Sequence, residues 1–358
     1  MPHAAKDDSH HHFAFDPQAL HMQMMRNSPR KLAFRGDASD AWSSAIRTKL
    51  VELLRMPTHP GTKPVVTFVG ETIEKDGYIQ RDRVIQTEPG CDVPCTLVTP
   101  KNATGPLPVM LCAQGHTSGM HVSLGEAQYD GDAEAIEGDR DFAVQAVRRG
   151  FAAISVELRA FGLCSDHRPE RDRLTSSYLD QTDDNRTCKH QAMTALLLGR
   201  TIFGERIFDL TRICDAIPDI AGLDGERIYM MGQSGGGSIG WYALAIEPRL
   251  KGAMLGSSFG TISGTIGTVD HCTDNYLPDM LTWMDFPDVA GAIDTAKVVV
   301  VMGKDDPVFP RASVVEAGDA ARAIFAARGR GDNFDLILAD GGHRFYADLA
   351  WGRFLEMI

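Results

Sequence analysis

Five consecutive residues, Gly232-Gln233-Ser234-Gly235-Gly236, fit the spacing G-x-S-x-G. They follow a short apolar run at 227–231 and precede a helical stretch reaching Ile246. A serine on a tight strand-to-helix turn projects its hydroxyl above a sheet, and glycines on either side remove Cβ atoms that would clash there. The helix starting behind it aims amide donors at developing negative charge. A serine hydroxyl is a weak nucleophile until a base takes its proton, and that base needs an orienting carboxylate. On such a turn the acid and then the histidine follow the serine along the chain. Only His271 and His343 follow Ser234. His343 comes after the last apolar run (334–338), in Asp340-Gly-Gly-His343, where a base belongs. His271 lies in an irregular stretch. The acid is expected after the run 297–302, which leads into Gly303-Lys-Asp305-Asp306-Pro307. Asp306, held by the following proline, is the choice, and Asp305 reads as a solvated or capping residue. Two amides must receive the oxyanion. Gly235, next to the nucleophile, supplies one. His116, in Gln114-Gly-His116 after the run 107–113, supplies the other through its backbone.

These loops need a frame. The apolar runs 107–113, 151–156, 227–231, 251–255, 297–302 and 334–338 are short and alternate with helical patterns, as in a parallel sheet covered on both faces. The helical patterns include 142–149 and one long stretch, 189–217. Upstream, 65–71, 78–87 and 95–99 read as antiparallel edge strands, and 41–54 as an amphipathic helix. The expected organisation is an N-terminal arm over residues 1–40 and a single α/β domain over 41–358. An excursion at about 260–292, rich in Thr, Gly, Asp and Pro, breaks the rhythm and forms a candidate lid.

Composition narrows the function. The 36 basic and 48 acidic residues leave a net charge of −12 in 358 residues, which argues against bulk-charge binding of nucleic acid or anionic lipid. No apolar run reaches the length of a membrane span. The first 17 residues carry Lys6, Asp7, Asp8 and His10 to His12 without an apolar core, so the expectation is a cytoplasmic protein. Seven scattered cysteines read as reduced thiols. Cys91-x3-Cys95 lacks a second close pair, and neither metal nor cofactor is expected.

Four segments together resemble the α/β-hydrolase superfamily, within its acetyl xylan esterase-like and dienelactone hydrolase-related branch. They are Gln114-Gly-His-Thr-Ser-Gly119, Gly162 within Glu157-Leu-Arg-Ala-Phe-Gly162, residues 232–237, and 303–310 with Gly342-His343. Residues 199–209, His271-Cys272 and Pro278 are similar to that group as well. One departure is Asp279, where the resemblance leads to glycine. The likeness spans about residues 60 to 358. It implies an α/β-hydrolase fold and a metal-free serine esterase with Ser234, Asp306 and His343 as its triad. Its substrates would be small-molecule esters with short acyl groups such as acetyl, on sugars among others.

Further residues carry two readings each. Arg159 and Glu157 end a strand near the expected site, as substrate contacts or as a buried ion pair holding the loop. Arg200, Arg206 and Asp209 read as structural locks. Trp283, Met280 and Phe286 are candidates for pocket walls or for plain lid packing. The same constellation also serves lactone, thioester, peptide or C–C hydrolysis. A hydrolase-like binding protein without turnover is the alternative of a different class. Oligomeric state is not legible.

Overall fold

The computed structural model describes residues 16–165 and 186–358; His10 to His12 fall outside them. Short apolar runs become the strands β1 (Val65–Glu74), β2 (Tyr78–Glu88), β3 (Cys91–Pro100), β4 (Leu107–Ala113), β5 (Ala152–Val156), β6 (Leu223–Gln233), β7 (Leu250–Gly256), β8 (Lys297–Gly303) and β9 (Phe334–Ala339). They form one sheet in the order β1-β2-β3-β5-β4-β6-β7-β8-β9. The hairpin-linked β1, β2 and β3 run antiparallel, and β3 pairs antiparallel with β5. From β5 to β9 every pairing is parallel. All parallel strands therefore deliver their following loops to one edge, the place where such sheets bind ligands.

Period-2 alternation splits the core between the faces. In β4, Val109, Leu111 and Ala113 join one apolar cluster, which includes Ile207, Leu210, Trp241 and Ile324 from the helices on that side. Met110 and Cys112 join the other, with Phe142, Ala146, Trp351 and Phe354. Strands apolar on both faces need helices on both, and the helices Phe142–Arg148, Ile202–Ala216, Gly235–Ile246, Arg311–Ala327 and Ala347–Met357 supply them.

The long helix expected over 189–217 is instead two helices, Arg186–Leu197 and Ile202–Ala216. Gly199 takes a left-handed φ of 75°, and the Thr201 hydroxyl accepts from the Gly204 amide at 3.0 Å. A glycine stop followed at once by a threonine start ends one helix and begins another. Thr201 also donates to the Leu54 carbonyl at 2.5 Å, tying the break to the helix Asp40–Leu54.

The segment 260–292 is a chain of short turns, and its last part is core: Phe286 and Val289 to Ala292 are buried beside Trp241 and Phe259. Residues 28–34 cross this part like a strap. The Ser28 hydroxyl donates to the Leu281 carbonyl (2.5 Å) and the Leu32 amide to that of Trp283 (2.7 Å). The Phe34 amide donates to Asp288 Oδ1 (2.8 Å), and Arg30 pairs with buried Asp285 at 2.9 Å.

Candidate active site

Ser234 sits between β6 and the helix Gly235–Ile246 with φ 53° and ψ −125°. An ordinary L-residue avoids this region, and the surroundings impose it. The Ser234 amide donates to the Gly256 carbonyl at the end of β7 (2.9 Å), and the Ser234 carbonyl accepts from Ser238 (2.9 Å). Two flanking glycines are required by contact. A Cβ on Gly232 would stand 2.5 Å from the Gly236 carbonyl oxygen, and one on Gly236 would stand 2.2 Å from that of Ala113. The G-x-S-x-G pattern is thus the set of residues that lets the turn close.

The loop after β4 abuts this turn. A Cβ on Gly115 would lie 2.8 Å from Ser234 Cβ, and one on Gly235 would lie 4.0 Å from His116 Nδ1. The loop is latched from behind. Gln114 donates to Ser123 Oγ and the Arg140 carbonyl, both at 2.7 Å. Ser118, His121 and Asp132 form a separate polar knot in which Asp132 accepts from Ser118 and its Oδ2 lies 2.8 Å from His121 Nε2. Although burial opposes it, Ser118 and the Gln128 and Tyr129 amides hold the Asp132 carboxyl down at about 2. In this knot one imidazole nitrogen meets both the serine and the aspartate, so it is a clasp and not a proton relay.

Asp306 and His343 meet at the ends of β8 and β9. The Lys304 amide donates to the Ala339 carbonyl and that of Asp305 to Gly341, both at 2.9 Å, which zips the two loops together. His343 Nδ1 lies 2.9 Å from Asp306 Oδ2. Asp306 Oδ1 accepts from the amides of Val308 (2.9 Å) and Phe309 (3.2 Å). Burial pushes the Asp306 carboxyl up, but His343 and these two amides prevail and hold it below the ordinary carboxylate range. An ionised carboxylate only accepts, so Nδ1 carries a proton, and in the neutral tautomer that this contact selects, Nε2 is the nitrogen with the lone pair. Asp305 is exposed and makes no such contact.

Two neighbours of this pair escape a reading by chain order. Phe309 stacks on His343, and His271 meets the edge of Phe309 with centroids 5.6 Å apart. Burial lowers the pKa of His271, and His343 adds to that effect. The excursion thereby brings His271 next to the candidate base.

Arg159 falls on the ion-pair side of its two readings, with a different partner from Glu157. Its Nε and Nη2 bind Asp209 at 2.7 Å each, and Nη1 binds Glu88 at 2.9 Å. Glu88 also accepts from Arg200. Glu157 instead accepts the amides of Met120 and Leu163, each at 3.1 Å. Burial outweighs those two bonds and raises its carboxyl to about 7. A Cβ on Gly162 would come within 2.3 Å of Glu157 Oε2, and Gly162 has φ 42°, which explains the glycine five residues after this glutamate. Trp283 lies against the ammonium groups of Lys31 and Lys49, 4.3 and 3.8 Å from its ring centroid. Met280 and Phe286 are buried core residues, so packing accounts for both.

Cys91 and Cys95 join no ligand cluster among the described residues. The one such cluster found there is His116, Cys188, Cys272 and Asp274. Cys188 and, secondarily, His116 pull the Cys272 thiol down to about 5 against the effect of burial.

A family model described as the abhydrolase family matches residues 5–207. A protein of Bacillus subtilis (strain 168) named "Putative hydrolase YtaP" is 21% identical over 293 residues, covering 79% of this chain and 89% of the relative. A solved structure described as a putative acetyl xylan esterase from Bacteroides fragilis NCTC 9343 superposes with a TM-score of 0.75. It is 16% identical, and the match covers 99% of this chain and 97% of that one. A glucuronoyl esterase from Solibacter usitatus gives a TM-score of 0.63 at 12% identity, over 92% of this chain and 96% of that one. Among the described residues, no helix is long and apolar enough to cross a membrane.

Proposed function

The chain belongs to the abhydrolase family, with the sheet of an α/β-hydrolase, and from that premise we propose that it is a serine carboxylic-ester hydrolase for short acyl esters, acetylated sugars among them. The observation that carries the reading is the 2.9 Å contact between His343 Nδ1 and an ionised Asp306, on the same sheet edge as a serine held at φ 53°. In this reading Ser234 attacks the ester carbonyl while His343 Nε2 takes its proton. Asp306 fixes the tautomer and stabilises the imidazolium. The amides of Gly235 and His116 receive the tetrahedral oxyanion. His343 then returns the proton to the leaving alcohol, an acyl-serine forms, and His343 activates the water that releases the acid. The names of the acetyl xylan and glucuronoyl esterase neighbours fit a sugar-ester substrate. The scattered reduced cysteines of the sequence fit a cytoplasmic location.

The test is turnover of a short-chain aryl acetate together with fluorophosphonate labelling. The wild type hydrolyses the acetate and takes the label on Ser234. Ser234→Ala keeps its fold, loses at least about a thousandfold in kcat and takes no label. Unchanged turnover in that variant removes the assignment, and a panel of butyrate, lactone, thioester and peptide substrates fixes the bond class.

A further inference from the structure

His116, Cys188, Cys272 and Asp274 reach one point from three separate stretches of chain, and their ligand atoms all lie within 4.8 Å of one another. The two Sγ atoms are 3.5 Å apart, and His116 Nε2 is 3.5 Å from Asp274 Oδ1. Cys188 and Asp274 are buried, and His116 Nε2 is sealed from solvent without a hydrogen-bond partner. We propose that these four side chains form a structural binding site for a divalent zinc-type ion, which braces the loop carrying His116.

The separations fit the ion. Around tetrahedral zinc, with Zn–S about 2.3 Å and Zn–N or Zn–O about 2.0 Å, two sulfurs stand about 3.8 Å apart and a nitrogen–oxygen pair about 3.3 Å. Shifts of about 1 Å close the longest separation to that range. Two thiolates, an imidazole and a carboxylate are the mixed soft and borderline set that zinc prefers over magnesium or calcium. The outer contacts of a metal site are in place too. Arg206, itself buried, donates to Asp274 Oδ2 at 2.6 Å and faces Cys188 Sγ at 3.6 Å. Asn275 donates to Asp274 Oδ1 at 2.9 Å, which leaves that oxygen a second lone pair for the ion. Charge balances: two thiolates and one carboxylate meet one divalent ion and one guanidinium, a neutral sum that a buried site needs. Both sulfurs bind as thiolates, so uptake of the ion releases whatever protons they still carry.

The site has a consequence for geometry. His116 comes from the loop beside Ser234, Cys272 and Asp274 from the excursion, and Cys188 from the helix Arg186–Leu197. One ion would fix all three relative to the turn that presents Ser234. Because the cluster uses the His116 ring and not its amide, this inference stands independently of the esterase reading.

The decisive measurement uses the full chain, purified without chelator and kept reduced. It should bind one equivalent of zinc against a chromogenic chelator and melt at higher temperature with zinc than with EDTA. Loaded with cobalt, it should show a thiolate-to-cobalt charge-transfer band, a readout that needs no variant. Cys272→Ala should lose zinc uptake and the band, whereas Cys91→Ala retains both. A reduced wild type that takes up no zinc overturns the proposal, whether or not Cys188 and Cys272 then pair as a disulfide. So does uptake that is undiminished in Cys272→Ala.

Discussion

The Phe309 ring lies parallel to the His343 imidazole, with centroids 6.1 Å apart and planes inclined by 6°. The amide of the same Phe309 donates to Asp306. One residue therefore orients both members of the acid–base pair, one through its ring and the other through its backbone. Phe309→Leu keeps the amide and removes the stack. It should lower kcat on an aryl acetate by about tenfold with little change in KM, since a small misplacement of a base is costly. Steady-state kinetics check this, and a kcat equal to wild type refutes it.

Asp306→Asn should lower kcat by about 10³- to 10⁴-fold, because the amide no longer enforces the Nδ1–H tautomer. The substitution should also change stability in acid. Asp306 has a folded pKa below its unfolded value, so its contribution is present above the ordinary carboxylate range and is lost as pH falls through the lowered value. Urea unfolding followed from pH 6 downward should show that loss in the wild type and a flatter limb in Asp306→Asn.

Glu157 predicts the opposite slope. Its carboxyl titrates at about 7 in the fold and near 4.5 when unfolded, so the folded state holds a proton that the unfolded chain has released between those values. Stability contributed by Glu157 therefore declines as pH rises from about 4.5 to 7, by on the order of 3 kcal/mol. Glu157→Gln should flatten that decline in denaturant titrations. Its amide group cannot accept from both Met120 and Leu163, so it should also cost about 1–3 kcal/mol at pH 5.

Asp279 occupies the left-handed region at φ 63° and ψ 0°, at the position where the sequence resemblance leads to glycine. The Thr282 amide and hydroxyl both donate to the Asp279 carbonyl, which glycine retains. Asp279→Gly should therefore stabilise the chain by about 0.5–1 kcal/mol, read as a small rise in Tm. A fall in Tm would mean that the aspartate side chain has a role of its own.

The parallel strands, the turn at Ser234 and the loops bearing Asp306 and His343 were legible in the sequence because each is local. A short apolar run ends in a few residues with restricted backbone choices. Asp306 could be told from Asp305 because proline follows it and fixes the turn that buries it. What comes from distant parts of the chain was harder. Nothing local marks Arg159 as the partner of Asp209, fifty residues on, or brings Cys188 to Cys272 across 84 residues. The stretch around His271 has no periodicity of its own, yet packing carries that histidine to Phe309. The helix break at 198–201 had a signal, Gly199 followed by Thr201, which the continuous apolar pattern on either side outweighed.

The strap formed by residues 28–34 spans 253 positions in sequence to reach Leu281. Trimming the front of this polypeptide is therefore not a peripheral edit. A protease or a cloning boundary that removed those few residues would strip the cover from buried Asp285 and unsettle residues 281–288 in the last third of the chain, so a shortened version would lose solubility with every strand of its sheet intact.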